Sequence, residues 1–89
     1  MSSRTVSIVN KLGLHARAAS KLVNCASGFA SQVWISRGDR EVNGKSIMGV
    51  LTLAAGRGTE LVLRAEGDDE DAALDAMTEL IADYFGEGE

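Results

Sequence analysis

The chain has 89 residues, 45% of them hydrophobic, with no proline and a formal net charge of −4. That length supports one modest core and excludes a second, so residues 1–89 are read as a single domain. The apolar fraction excludes a disordered chain, and no apolar run approaches the ~20 residues of a membrane span.

Other classes fall to the same inventory. A single cysteine, Cys25, rules out an intrachain disulfide framework. With one histidine besides, no ligand set for a structural zinc site is available. The first residues carry no signal-peptide apolar block, so a cytoplasmic location without membrane insertion is expected. The charge is uneven. Residues 1–59 hold eight Lys/Arg against two acids, and residues 60–89 hold one against eleven. A solvated acidic face explains the second part, while the basic first part suits an acidic partner. Nucleic acid is not expected, because the four aromatics make no basic-aromatic stripe.

In chain order, Thr5–Val9 alternates with Val6 and Ile8 on one side and reads as a strand. Asn10-Lys11-Leu12-Gly13 is a turn-like exit. From Ala16 to Ser27, the residues Ala19, Leu22, Val23 and Ala26 fall at helical spacing, and Gly28 suits a left-handed closing residue. Gln32–Ser36 is a second strand with Val33 and Ile35 inward. Arg37-Gly38-Asp39-Arg40 turns into a short strand near Glu41-Val42. Ser46 is an N-cap candidate for a second helix with Ile47, Val50, Leu51 and Ala54 on its apolar face, ended by Gly56. Glu60–Ala65 is a strand with Leu61 and Leu63 on one side. Gly67-Asp68 leads into a third helix. Asp69, Glu70 and Asp71 suit its positive start, and Ala73, Met77, Leu80, Ile81 and Tyr84 form its buried stripe. The last residues, 86–89, read as a frayed tail. The order β-α-β-β-α-β-α predicts an α+β open-faced β-sandwich: a four-stranded antiparallel sheet with three helices on one face.

The chemistry concentrates at Gly13-Leu14-His15-Ala16-Arg17-Ala18-Ala19. The only histidine stands where a strand-like run gives way to a helix, with an arginine two residues on. A lone histidine at a helix start is equally at home as a cap. Here, however, imidazole, guanidinium and the first N–H groups of a helix, from Ala16 to Ala18, converge. That combination suits a phosphoryl group, because the ring offers a nitrogen nucleophile and the others neutralise charge. No Walker lysine loop and no metal-ligand cluster accompanies it. The chain is therefore read as a phosphoryl acceptor and not as an enzyme with turnover, a cofactor or a metal of its own. Ser46 serves as a cap in any case, and a phosphate there would lie beside Lys45. The run Ile47–Ala55 is apolar nearly all round. Either it offers a docking surface or it is buried deeper than a small domain suggests. Cys25 and Trp34 read as structural.

Gly13 to Ala19 resembles the active-site signature of the HPr family, the histidine-containing phosphocarriers of the bacterial phosphoenolpyruvate-dependent phosphotransferase system. Gly44-Lys45-Ser46-Ile47-Met48-Gly49-Val50-Leu51 resembles the family's serine-phosphorylation signature. The interval, the length and the element order match over almost the whole chain. The resemblance implies that His15 accepts a phosphoryl group on Nδ1 from phosphorylated enzyme I and passes it to an enzyme IIA domain. It implies that Arg17, Ala16 and Ala18 bind the phosphate, and that Ser46 is a regulatory site for an HPr kinase/phosphorylase. It also implies that Ser20, Ile47, Met48 and Leu51 lie in the partner interface of a monomeric carrier. Alanine stands at 18 where the family usually has proline, which suggests a looser first helical turn. Asn10-Lys11-Leu12-Gly13 looks more like the nitrogen-regulatory branch. A regulatory paralogue that signals without sugar transport is thus the alternative.

Overall fold

The computed structural model describes residues 1–86. Four strands, β1 (Ser2–Ser7), β2 (Gln32–Arg37), β3 (Arg40–Asn43) and β4 (Glu60–Glu66), form one antiparallel sheet in the order β1-β4-β2-β3. Three helices, α1 (Ala16–Ser27), α2 (Ile47–Leu51) and α3 (Glu70–Ala82), complete the expected order. Register places Val6 opposite Leu61 and Ile35 opposite Leu63. With side chains alternating across the pleat, Val33, Ile35, Leu61, Leu63 and Ala65 turn together into the core. Leu22, Val23, Leu74, Met77 and Ile81 meet them from the helices. On the other face Trp34 is paired with Arg64, whose guanidinium lies 5.2 Å over the indole.

Several boundaries move. β1 begins at Ser2, not Thr5, because Ser2 and Arg4 occupy inward positions without being apolar. Each is matched by an acid of α3: Ser2 Oγ donates to Glu70 at 2.5 Å, and Arg4 lies 2.7 Å from Asp75. Ile8 and Val9 leave the regular strand, although Ile8 stays buried and bonds the Gly58–Thr59 backbone. Gly28 closes α1 in right-handed geometry, at φ −74°, and not the left-handed form expected.

α2 ends at Leu51, five residues before Gly56. Leu53 and Ala55, rather than Ala54, are buried beyond it. Ala54 is exposed and sits at φ +49°. On α3 the buried stripe is Ala73, Leu74, Met77 and Ile81, with Leu80 half-buried. Tyr84 faces outward. Phe85 is buried in its place because the chain reverses through left-handed geometry at both residues. Lys21 Nζ fastens the reversal by donating to the Phe85 carbonyl at 2.7 Å. Of the expected tail, Gly86 closes this turn, while 87–89 lie outside the described residues.

Asp69 stands at the N-cap of α3, yet its carboxylate does not cap that helix. It reaches across to the segment just before β2 and accepts from Ala30 N at 2.8 Å, Ser31 N at 2.9 Å and Ser31 Oγ. The Ser31 hydroxyl first, and then the backbone N–H groups, hold this carboxyl below the usual carboxylate range.

Candidate phosphoryl site

The loop between β1 and α1 is shaped by a buried asparagine and a glycine. Asn10 Nδ2 donates to the Gly13 carbonyl at 2.8 Å, and Gly13 N donates back to the Asn10 carbonyl at 3.2 Å. Gly13 has φ +70°, and a Cβ there would stand 2.7 Å from the Ala55 oxygen and 2.8 Å from Gly56 Cα. Only glycine meets both demands. Leu14 then donates its N–H to the Ala55 carbonyl at 2.8 Å and buries its side chain. The turn after α2 therefore anchors the residue immediately before His15.

His15 is the N-cap of α1, at φ −76° and ψ 178°. Its carbonyl accepts from Ala19 N at 2.8 Å, and its Nδ1 accepts from Arg17 N at 3.2 Å. With Nδ1 as acceptor, the neutral ring carries its proton on Nε2. Ala16 and Arg17 are exposed, whereas Ala18 and Ala19 are buried and seat the helix on the core. Arg17 N is the first-turn N–H that meets His15 Nδ1, and the Ala16 and Arg17 residues stand open to solvent while Ala18 packs its methyl inward. The first turn closes regularly with alanine at 18. It holds no acid, so the positive end of the helix dipole is not offset locally.

Ser46 caps α2, its Oγ accepting from Gly49 N at 3.1 Å. Lys45 is not free beside it, because its ammonium donates to the Phe29 carbonyl at 2.8 Å. Val50 is buried and Leu51 half-buried, while Ile47 is 40% and Met48 74% exposed. Leu12, 70% exposed, adds a third apolar group on the loop before His15. α1 and α2 pack against each other, and Ser20 is half-buried on α1. Cys25 is half-buried, and desolvation raises its thiol pKa, which removes thiolate character. Among the described residues no cluster of three His, Cys, Asp or Glu could hold a metal. Among the described residues, too, no helix is long and apolar enough to cross a membrane.

Two contributors escaped the sequence reading. Asn10 was legible only as part of a turn, although an asparagine three residues before a glycine is a signal for a side chain bonding local backbone. The Ala54-Ala55 turn carried no signal, since both residues read as helical.

Comparison with known proteins agrees over the full length. The family model described as "PTS HPr component phosphorylation site" matches residues 2–83. A phosphocarrier protein HPr of Neisseria meningitidis is 53% identical over 89 residues, covering all of both chains. One of Cupriavidus necator is 55% identical, again over all of both. Among solved structures, HPr-C-His from Thermoanaerobacter tengcongensis superposes with a TM-score of 0.94 at 47% identity, over 98% of each chain.

Proposed function

The chain belongs to the HPr family, the phosphocarriers of the phosphotransferase system, and from that premise we propose that His15 is the residue that carries the phosphoryl group. The observation behind this is the lone pair of His15 Nδ1 turned toward the Arg17 N–H at an acid-free helix start. Phosphorylated enzyme I is the donor. As the bond from phosphorus to the donor nitrogen breaks, a bond from phosphorus to Nδ1 forms. The Nδ1 lone pair is consumed, so the Arg17 N–H loses its acceptor and turns to a phosphoryl oxygen. The Ala16 N–H, the Arg17 guanidinium and the dipole of α1 offset the added charge without a rearrangement of the fold. The group then leaves for a histidine of an enzyme IIA domain, which regenerates neutral His15. The chain is a relay with no turnover of its own.

Exposed Ile47 and Met48, with Leu51 and Ser20, form the partner surface, and the basic part of the chain favours acidic partners. Ser46 is the target of an HPr kinase/phosphorylase. A phosphate on its Oγ adds charge beside this apolar surface and disfavours docking by enzyme I. A regulatory role without sugar transport is the second reading, and it rests on the likeness of Asn10-Lys11-Leu12-Gly13 to the nitrogen-regulatory branch. The acceptor that drains the phosphate distinguishes the two.

The test is incubation with enzyme I and phosphoenolpyruvate, followed by intact mass before and after brief acid treatment. One acid-labile phosphate, absent in His15→Ala, is expected. Arg17→Ala should slow its arrival by roughly tens- to a thousandfold, since it removes charge stabilisation from the transition state. Phosphate that persists in folded His15→Ala would refute the assignment.

A further inference from the structure

The turn that anchors the His15 loop is itself held from the far side. It runs Leu53-Ala54-Ala55-Gly56, and Ala55 supplies the carbonyl that receives Leu14 N–H at 2.8 Å. Between α2 and that carbonyl stands Ala54 at φ +49°, a region that side-chain-bearing residues disfavour. Arg37, the last residue of β2, places Nη1 2.9 Å from the Leu53 oxygen and 3.1 Å from the Ala54 oxygen. These two carbonyls belong to the peptide groups on either side of the Ala54 Cα. Holding both therefore fixes the two backbone torsions of that residue. The neighbouring Arg40 reaches Thr52 Oγ1 at 3.1 Å and leaves the two carbonyls to Arg37.

We propose that Arg37 is a positioning residue for His15: by clamping the Leu53 and Ala54 carbonyls it keeps Ala54 left-handed and so sets the Ala55 carbonyl that anchors the His15 loop. The path is continuous. It runs from the Arg37 guanidinium to the Ala54 backbone, from there to the Ala55 oxygen, and through Leu14 N–H to the next residue, His15. Arg37 touches no reacting atom. The consequence for relay rests on the carrier reading above, but the structural part does not.

An arginine on the surface can also act by plain attraction to an acidic partner, and residue 54 separates the two roles. Glycine adopts a positive φ without penalty, so Ala54→Gly removes the need for a clamp while leaving the charge at 37 unchanged. The experiment compares Arg37→Ala, Ala54→Gly and the double variant. It measures amide hydrogen exchange at Leu14, which needs no partner, and then the rate of phosphoryl acceptance from enzyme I. Arg37→Ala should speed Leu14 exchange about tenfold, the scale of losing hydrogen bonds from a charged donor, with Ile35 and Leu63 amides unchanged. Acceptance should slow several-fold. Adding Ala54→Gly should return both values most of the way. Unaltered Leu14 exchange in Arg37→Ala would overturn the proposal. So would a slowed relay that Ala54→Gly fails to restore, which is the result partner attraction gives. Exchange that responds as expected in a chain that accepts no phosphate would support the clamp and refute the relay reading alone.

Discussion

Gly13→Ala tests how tightly the His15 loop is pressed against the turn after α2. The glycine has φ +70°, and its missing Cβ would lie 2.7 Å from the Ala55 oxygen and 2.8 Å from Gly56 Cα. Both neighbours are backbone, so no flexible side chain can yield. A left-handed alanine costs ~1–2 kcal/mol, and forcing an extra carbon into a closed contact costs a further ~1–3 kcal/mol. Gly38 supplies the control. It has φ +58° in the β2–β3 turn, and nothing lies within 4 Å of its Cβ position. Gly38→Ala should therefore show the conformational cost alone. In a domain of this size one kcal/mol moves Tm by roughly 4–8 °C. Thermal unfolding followed by circular dichroism should then place Gly13→Ala well below Gly38→Ala, by about 5 °C or more. Because the shift breaks the Leu14–Ala55 bond, Gly13→Ala should also lose phosphoryl acceptance while Gly38→Ala retains it. Equal melting temperatures for the two variants would refute the contact argument.

Two further predictions concern the acid side and the second helix. Asp69 has its folded pKa below the ordinary value, chiefly through the Ser31 hydroxyl. Its contribution is thus fully present above the unfolded value of about 3.9 and is lost as pH falls through the folded one. Urea unfolding of Asp69→Asn from pH 7 down to pH 2 should show lower stability at neutral pH and a shallower acid decline; a profile parallel to the parent's would remove Asp69 from the acid transition. Ser46→Ala deletes the acceptor for Gly49 N and should cost ~1 kcal/mol in urea unfolding. It should also abolish ATP-dependent labelling by an HPr kinase, and labelling that continues would reject Ser46 as the site.

Most of the architecture is local enough to be legible in the sequence. α1 runs over the expected Ala16–Ser27 because its apolar spacing and its break after Leu14 depend on neighbours a few residues away. The inward faces of β2 and β4 follow from strict alternation, and Ser46 caps as its type suggests. His15 and Arg17 share one helix start because they are two residues apart. What the sequence concealed involves partners distant along the chain. β1 starts three residues early because Glu70 and Asp75 accept its polar inward residues. Asp69 abandons its own helix because Ala30 and Ser31 offer three donors. Phe85, not Tyr84, fills the core because the chain reverses after α3 and Lys21 fastens it. Ala54 and Ala55 read as more helix, and only the packing of Gly13 and Leu14 against them, with Arg37 on the outer side, makes them the support of the His15 loop. Periodicity records which face of an element is apolar. Where a chain bends, and which carbonyl it offers there, is decided by contacts between segments that no local pattern encodes.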